Sequence, residues 1–110
     1  MKVSIVTPTY NEKDNIERLA NGLFDDCQDY DVELIVVDDN SPDGTGDVAD
    51  KLSKEYPIKV VHRAGKLGLS SAVLAGFDNA SGDIIGVIDA DLSHPTSKIP
   101  ELIECILKED

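Results

Sequence analysis

The sequence predicts an α/β fold, a parallel sheet with helices on both faces. Three observations carry that expectation. Short β-branched runs alternate with segments whose apolar residues recur at helical spacing. Apolar residues make up 41% of the chain, but there is no Trp and only three Tyr and two Phe, so Val, Ile, Leu and Ala must build the core. At 110 residues the chain supports one domain with one modest core.

The elements follow in order. "KVSIV" (2–6) is a first strand that ends at Thr7-Pro8. Ile16, Leu19, Ala20, Leu23 and Phe24 form the stripe of a first amphipathic helix. "VELIVV" (32–37) is apolar enough to be a strand buried on both faces. "DDNSPDGTG" (38–46) is turn chemistry, and Val48, Leu52 and Tyr56 mark a second helix stopped by Pro57. "IKVVH" (58–62) is a third strand and "RAGKLG" (63–68) a loop. Leu69, Ala72, Val73, Gly76, Phe77 and Ala80 give a third helix, ended by Ser81-Gly82. "IIGVI" (84–88) is a fourth strand, and Pro100 opens a last helix bearing Ile99, Leu102, Ile103, Ile106 and Leu107. The order βαβαβαβα, joined by right-handed crossovers, implies a parallel sheet. Ligands of such sheets bind beyond the carboxyl ends of the strands.

Charge narrows the partners. With 22 acidic and 10 basic residues the formal net charge is −12, which excludes a nucleic-acid face and a polybasic membrane patch. A phosphorylated ligand needs a cation or a local basic group to approach. Cys27 and Cys105 lack metal or redox spacing and read as two free thiols of a cytoplasmic protein. "MKVSIVTPTY" is too short in its apolar part for a signal peptide or a spanning helix.

The chemistry-bearing residues gather at the strand ends. Asp89 and Asp91 flank Ala90 after the fourth strand. In extended backbone, residues two apart face one way, so the carboxylates converge and repel by about a few kcal/mol. The pair is either a solvated strand end or a site for Mg²⁺ or Mn²⁺, which take few carboxylates and leave positions for water and phosphate oxygens. Asp38 and Asp39 point to opposite sides, and a carboxylate there suits a base N–H or a ribose hydroxyl; the alternative is a plain turn. In "TPTYNE", Tyr10 offers a ring for stacking and Glu12 an acceptor for sugar hydroxyls, against the reading of an acidic helix start. His94 reads as a turn residue before a ligand. Arg63 and Lys66 either touch a diphosphate or are solvated.

In sequence order, "PTYNE", "VVDDNSPDGT", "KLGLSSAVLAGF" and "DADLSHP" closely resemble the family 2 glycosyltransferases of GT-A fold, above all the dolichyl- or polyprenyl-phosphate mannosyltransferases. The resemblance runs from Val3 to about Pro100. It implies a Rossmann-like nucleotide-binding half of a GT-A domain over residues 1–110. By the same resemblance Pro8, Tyr10 and Glu12 line the nucleotide pocket, Val37 and Asp39 contact the base, and Ala90 lies along the ribose. Asp89 and Asp91 match the D-x-D that holds a divalent cation on the diphosphate of a donor such as GDP-mannose or a UDP-sugar. A lipid-phosphate acceptor at the cytoplasmic face of a membrane is already an anion, so an inverting transfer to it needs no base. Those enzymes continue well past D-x-D. The expectation is therefore a donor-binding part without its acceptor half, better supported as a binder than as a catalyst, with an apolar surface open to self-association.

Two other classes fit less well. A non-catalytic nucleotide-sugar-binding module shares every donor residue and differs only in turnover. A receiver-type phosphorylation switch matches "LIVVDDN", but that block belongs on a first strand and stands here on the second.

Overall fold

The computed structural model describes residues 1–64, 68–93 and 95–108. Four parallel strands, β1 (Lys2–Thr9), β2 (Asp31–Asp38), β3 (Ile58–His62) and β4 (Ile84–Val87), form one sheet in the order β3-β2-β1-β4. The helices are α1 (Lys13–Asp26), α2 (Thr45–Leu52), α3 (Leu69–Asn79) and α4 (Lys98–Lys108). Strand order reverses between β1 and β4, so the switch point where such sheets open a crevice lies at the carboxyl ends of these two strands.

The larger core lies under α1, α2 and α4, where Val3, Ile5, Leu34 and Val36 meet Ile16, Leu19, Leu23, Ala49, Leu52, Ile99 and Ile103. The smaller one holds Val6, Ile35 and Val37 against Ala72 of α3. The helical stripe of α1 is buried as its spacing requires, with Phe24 at its margin stacked on Tyr56 at 4.9 Å between ring centroids.

Several boundaries differ from the sequence reading. β1 runs through Pro8 to Thr9, because beyond Val6 it pairs only with β2. The N–H that Pro8 lacks therefore faces the side where no strand follows. Helix α2 stops at Leu52, and Tyr56 lies past it, reached through turns in which Lys54 N–H meets Lys51 O and Glu55 N–H meets Leu52 O. β4 ends at Val87, so Asp89 and Asp91 fall in a turn beyond the strand. The stripe expected on α3 is also narrower. Only Ala72 and Gly76 are buried, while Leu69 and Phe77 are exposed. A Cβ on Gly76 would lie 2.3 Å from Val6 Cγ1, so the helix sits too close to the sheet for larger residues to turn inward. On α4 only Ile99 and Ile103 are buried.

At the amino end of the sheet, Glu33 of β2 is buried, at 3% exposure. Its Oε2 accepts from Ser4 Oγ (2.6 Å), Ser81 N (2.7 Å) and Ser81 Oγ (3.0 Å), and its Oε1 lies 3.2 Å from Lys59 Nζ and 3.5 Å from Lys2 Nζ. Burial alone would raise its pKa, but these donors hold the carboxyl down to about 2.

Candidate functional site

A cleft of about 130 Å³ opens at the carboxyl edge between Pro8, Thr9 and Tyr10 from the end of β1, Asp39 after β2, and Gly68, Leu69 and Ala72 at the start of α3. Whole small-molecule pockets usually run to about 300–1,000 Å³, so this cleft is sized for part of a ligand. A larger open groove of about 550 Å³ lies between Asn21, Phe24, Gln28 and Tyr56, and no strand-end residue lines it.

Alternation along β2 separates its two terminal carboxylates. Asp39, 7% exposed, lines the cleft. It is gripped by Arg63, whose Nε donates to Oδ1 at 2.6 Å and Nη2 to Oδ2 at 3.1 Å. The same guanidinium donates to Ser71 Oγ at 2.6 Å and Gly68 O at 3.3 Å. Arg63 is thus not the solvated side chain that the sequence also allowed. It spans the ends of β2, β3 and α3. Asp38, 2% exposed, faces the loop that follows β2. It accepts from Thr9 Oγ1 at 2.8 Å, Ser41 Oγ at 2.6 Å and Ser41 N at 3.1 Å.

Of the other residues singled out in the sequence, Pro8 and Tyr10 stand on the cleft wall, with Tyr10 40% exposed. Glu12 opens α1 and accepts from Asn15 Nδ2 at 3.0 Å. The side chain of Val37 is fully buried in the core beneath α3 and presents no surface to a ligand. Asp89 and Asp91 are exposed with Ala90 buried between them, so both carboxylates stay on the solvent side even though the backbone there turns. Ile88 N–H bonds to Val6 O, which sets this turn beside the end of β1. Asp91 Oδ1 accepts from Ser93 N at 3.0 Å, and Leu92 between them takes a left-handed φ of 65°. Among the described residues no three His, Cys, Asp or Glu side chains cluster as a metal site. Lys66 and His94 lie outside the described residues.

Sequence reasoning did not find the Arg63–Asp39 pair, nor the use of Ser41, Asp43 and Thr45. Asn11 N donates to Ser41 Oγ, Glu12 N to Thr45 Oγ1 and Lys13 N to Asp43 Oδ2. The signal was present as hydroxyls and carboxylates in "DDNSPDGTG", but turn formation accounts for the same residues.

The architecture defines an open parallel α/β domain whose polar residues collect at the carboxyl edge of its sheet. The signature described as "Glycosyl transferase family 2" matches residues 4–110, and the chain belongs to this family. It is 52% identical over 106 residues to a dolichol-phosphate mannosyltransferase of Pyrococcus furiosus, covering 96% of this chain and 30% of that protein. Its fold superposes on a mannosyltransferase from Pyrobaculum calidifontis in complex with GDP-Man and Mn²⁺, with TM-score 0.76 and 29% identity over 87% of this chain and 29% of the other. It also matches glucosyl-3-phosphoglycerate synthase from Mycobacterium tuberculosis in complex with Mn²⁺, UDP and glucosyl-3-phosphoglycerate, with TM-score 0.76 and 29% identity over 96% and 39% of the two chains. The chain therefore has the GT-A glycosyltransferase architecture and spans about a third of the length of these proteins.

Proposed function

We propose that the chain is the donor-binding part of a metal-dependent, inverting mannosyl transferase that takes GDP-mannose and serves a lipid-phosphate acceptor. The observation that carries this reading is the Tyr10–Asp39 cleft at the carboxyl edge of the sheet, with the exposed Asp89/Asp91 turn following β4, the other neighbour of β1, at the same edge. In this reading the base stacks on Tyr10 against Pro8, and Asp39 accepts its N–H while Arg63 fixes the carboxylate. Glu12 receives sugar hydroxyls. Val37 supports the cleft from the core, and Ala90, its side chain buried in the larger core, can meet the ribose only through its backbone.

The two exposed carboxylates fit a hard divalent cation that keeps other positions for phosphate oxygens and water, so Asp89 and Asp91 would hold Mg²⁺ or Mn²⁺. Bound there, such an ion supplies charge stabilisation for the departing nucleoside diphosphate. The chain's own residues orient the donor. A lipid phosphate arrives ionised and needs no base to activate it. Such an acceptor brings the site to a membrane surface, and no described helix is long and apolar enough to cross one. Self-association would use the open edge of β4, where Ile85 and Val87 are exposed.

Calorimetric titration of GDP-mannose and UDP-glucose, each with and without Mn²⁺, tests the reading. GDP-mannose is expected to bind more tightly, and only with the ion. Asp91→Asn should weaken that binding at least tenfold and leave the fold intact. A variant that binds as tightly as the parent removes the metal from the reading, and equal affinity for both donors removes the guanine preference.

A further inference from the structure

We infer that Ser41, Asp43 and Thr45 are positioning residues that clasp the backbone after Tyr10 and thereby fix its ring at the base cleft; the inference rests on the donor-binding reading above. Three consecutive backbone N–H groups are captured by two side chains of the loop after β2 and by the first side chain of α2. Asn11 N donates to Ser41 Oγ at 2.9 Å, Glu12 N to Thr45 Oγ1 at 2.9 Å, and Lys13 N to Asp43 Oδ2 at 3.1 Å.

The acceptors are themselves held in place. Ser41 Oγ donates to Asp38 Oδ1 at 2.6 Å, and Asp43 Oδ1 accepts both the hydroxyl and, at 3.0 Å, the N–H of Thr45. Burial pushes the Asp43 carboxyl upward, but the Thr45 hydroxyl and the N–H groups of Lys13 and Thr45 bring it below its ordinary value. Neither Glu12 nor Gly44 caps its helix with a side chain. Asp43 thus serves the first residue of both α1 and α2.

The segment so held needs holding. Tyr10 lies between the last residue of β1 and the start of α1, and Asn11 turns the chain through a left-handed φ of 56°. That conformation is open to Asn but has no regular hydrogen bonding of its own. The loop that begins at Tyr10 is therefore set by side chains about thirty residues further along the chain. Asp38 adds a fourth point by accepting from Thr9 Oγ1, one residue before Tyr10. In physical terms, stacking on Tyr10 is pre-organised, and loss of the clasp returns conformational freedom that binding must then remove.

Helix capping alone predicts lost stability and no selective effect on the base. The two roles separate in a double-mutant cycle with a base-free control. The chain and its Ser41→Ala, Ser41→Thr, Tyr10→Ala and Ser41→Ala/Tyr10→Ala variants are titrated with Mn²⁺ plus GDP and with Mn²⁺ plus pyrophosphate. Ser41 is only half-buried, so Ser41→Ala should fold; Ser41→Cys, a weaker acceptor of similar size, replaces it if it does not. The expected result is a loss of about tenfold for GDP with Ser41→Ala, none for pyrophosphate, recovery with Ser41→Thr, and no further loss on adding Ser41→Ala to Tyr10→Ala. Unchanged GDP binding, an equal loss for pyrophosphate, or a full additional loss in the Tyr10→Ala background overturns the inference. A parent chain that binds pyrophosphate but shows no preference for GDP overturns it as well. A parent that binds neither ligand overturns the donor-binding reading, and the inference with it.

Discussion

The two ends of the sheet treat buried carboxylates in opposite ways. At the amino end, Glu33 has both oxygens committed to two serines and two lysines, and it lines neither the strand-end cleft nor the groove beside Tyr56. At the carboxyl end, Asp39 is paired with Arg63, but it stands at an opening lined by an aromatic ring. A buried acid with a satisfied shell is a fastening. The same acid on a cleft wall is a recognition group held ready. Burial and pairing do not distinguish them; access does.

The largest expected effect breaks the fastening. Glu33→Ala should cost on the order of 3 kcal/mol in urea unfolding, at the low end for a disrupted buried ion pair because Lys2 and Lys59 keep access to water. The parent should show the matching acid dependence. With the folded pKa lowered from 4.5 to about 2, the stabilisation is complete above pH 4.5 and is lost as pH falls toward 2. Acid unfolding that is the same for parent and Glu33→Gln would remove this group from the account.

Glycine substitution sharpens the contrast. A Cβ on Gly82 would lie 2.8 Å from Ser4 N and 2.9 Å from Lys2 O, backbone atoms of the central strand that cannot yield. Gly82→Ala should therefore cost about 2 kcal/mol. At the other end, a Cβ on Gly46 meets only the tips of Asp38 and His62, at 3.0 Å, and Gly46→Ala should cost less than half as much. Thermal melts of the two variants decide this ordering.

Asp39→Ala should weaken nucleotide binding by about 1–3 kcal/mol, the usual result of losing a charged hydrogen-bond partner. Asp38→Ala should act first on stability, since its acceptors serve Thr9 and Ser41. Equal losses of affinity at both positions, by calorimetry, would erase the difference between them. The smallest effect is a gain. Thr7 Oγ1 is buried without a hydrogen-bond partner among the described residues, so Thr7→Val should raise stability by about 1 kcal/mol in the same unfolding assay.

The element order and the parallel sheet were legible in the sequence because each segment's period is a local property. The α1 stripe and the β2 run needed no tertiary information. What stayed hidden depended on approach and register. The outward-facing Leu69 and Phe77 follow from how closely Gly76 brings α3 to Val6, a distance no periodicity carries. The grip of Arg63 on Asp39 requires β2 and β3 to end level, with Asp38 opposite His62. Glu33 passed unremarked inside "VELIVV", although a single acid in an apolar run signals that donors must converge on it. The carboxyl-edge residues were legible as a group because topology brings strand ends together; which carboxylate faces the cleft required the structure.

The Arg63–Asp39 pair also sets the electrical character of the edge. A guanidinium and a carboxylate, each side chain about 9% exposed, cancel each other where Asp39 meets the cleft, so the pair itself adds no net charge to this corner of a −12 protein. A neutral aromatic heterocycle can settle there without working against the surrounding field. An attached anionic group extends beyond that compensated pair toward the acidic remainder. Added salt shortens the reach of that field to about 8–10 Å without touching the pair itself. Ionic strength should therefore act on one end of an elongated, partly charged ligand and leave the other nearly indifferent.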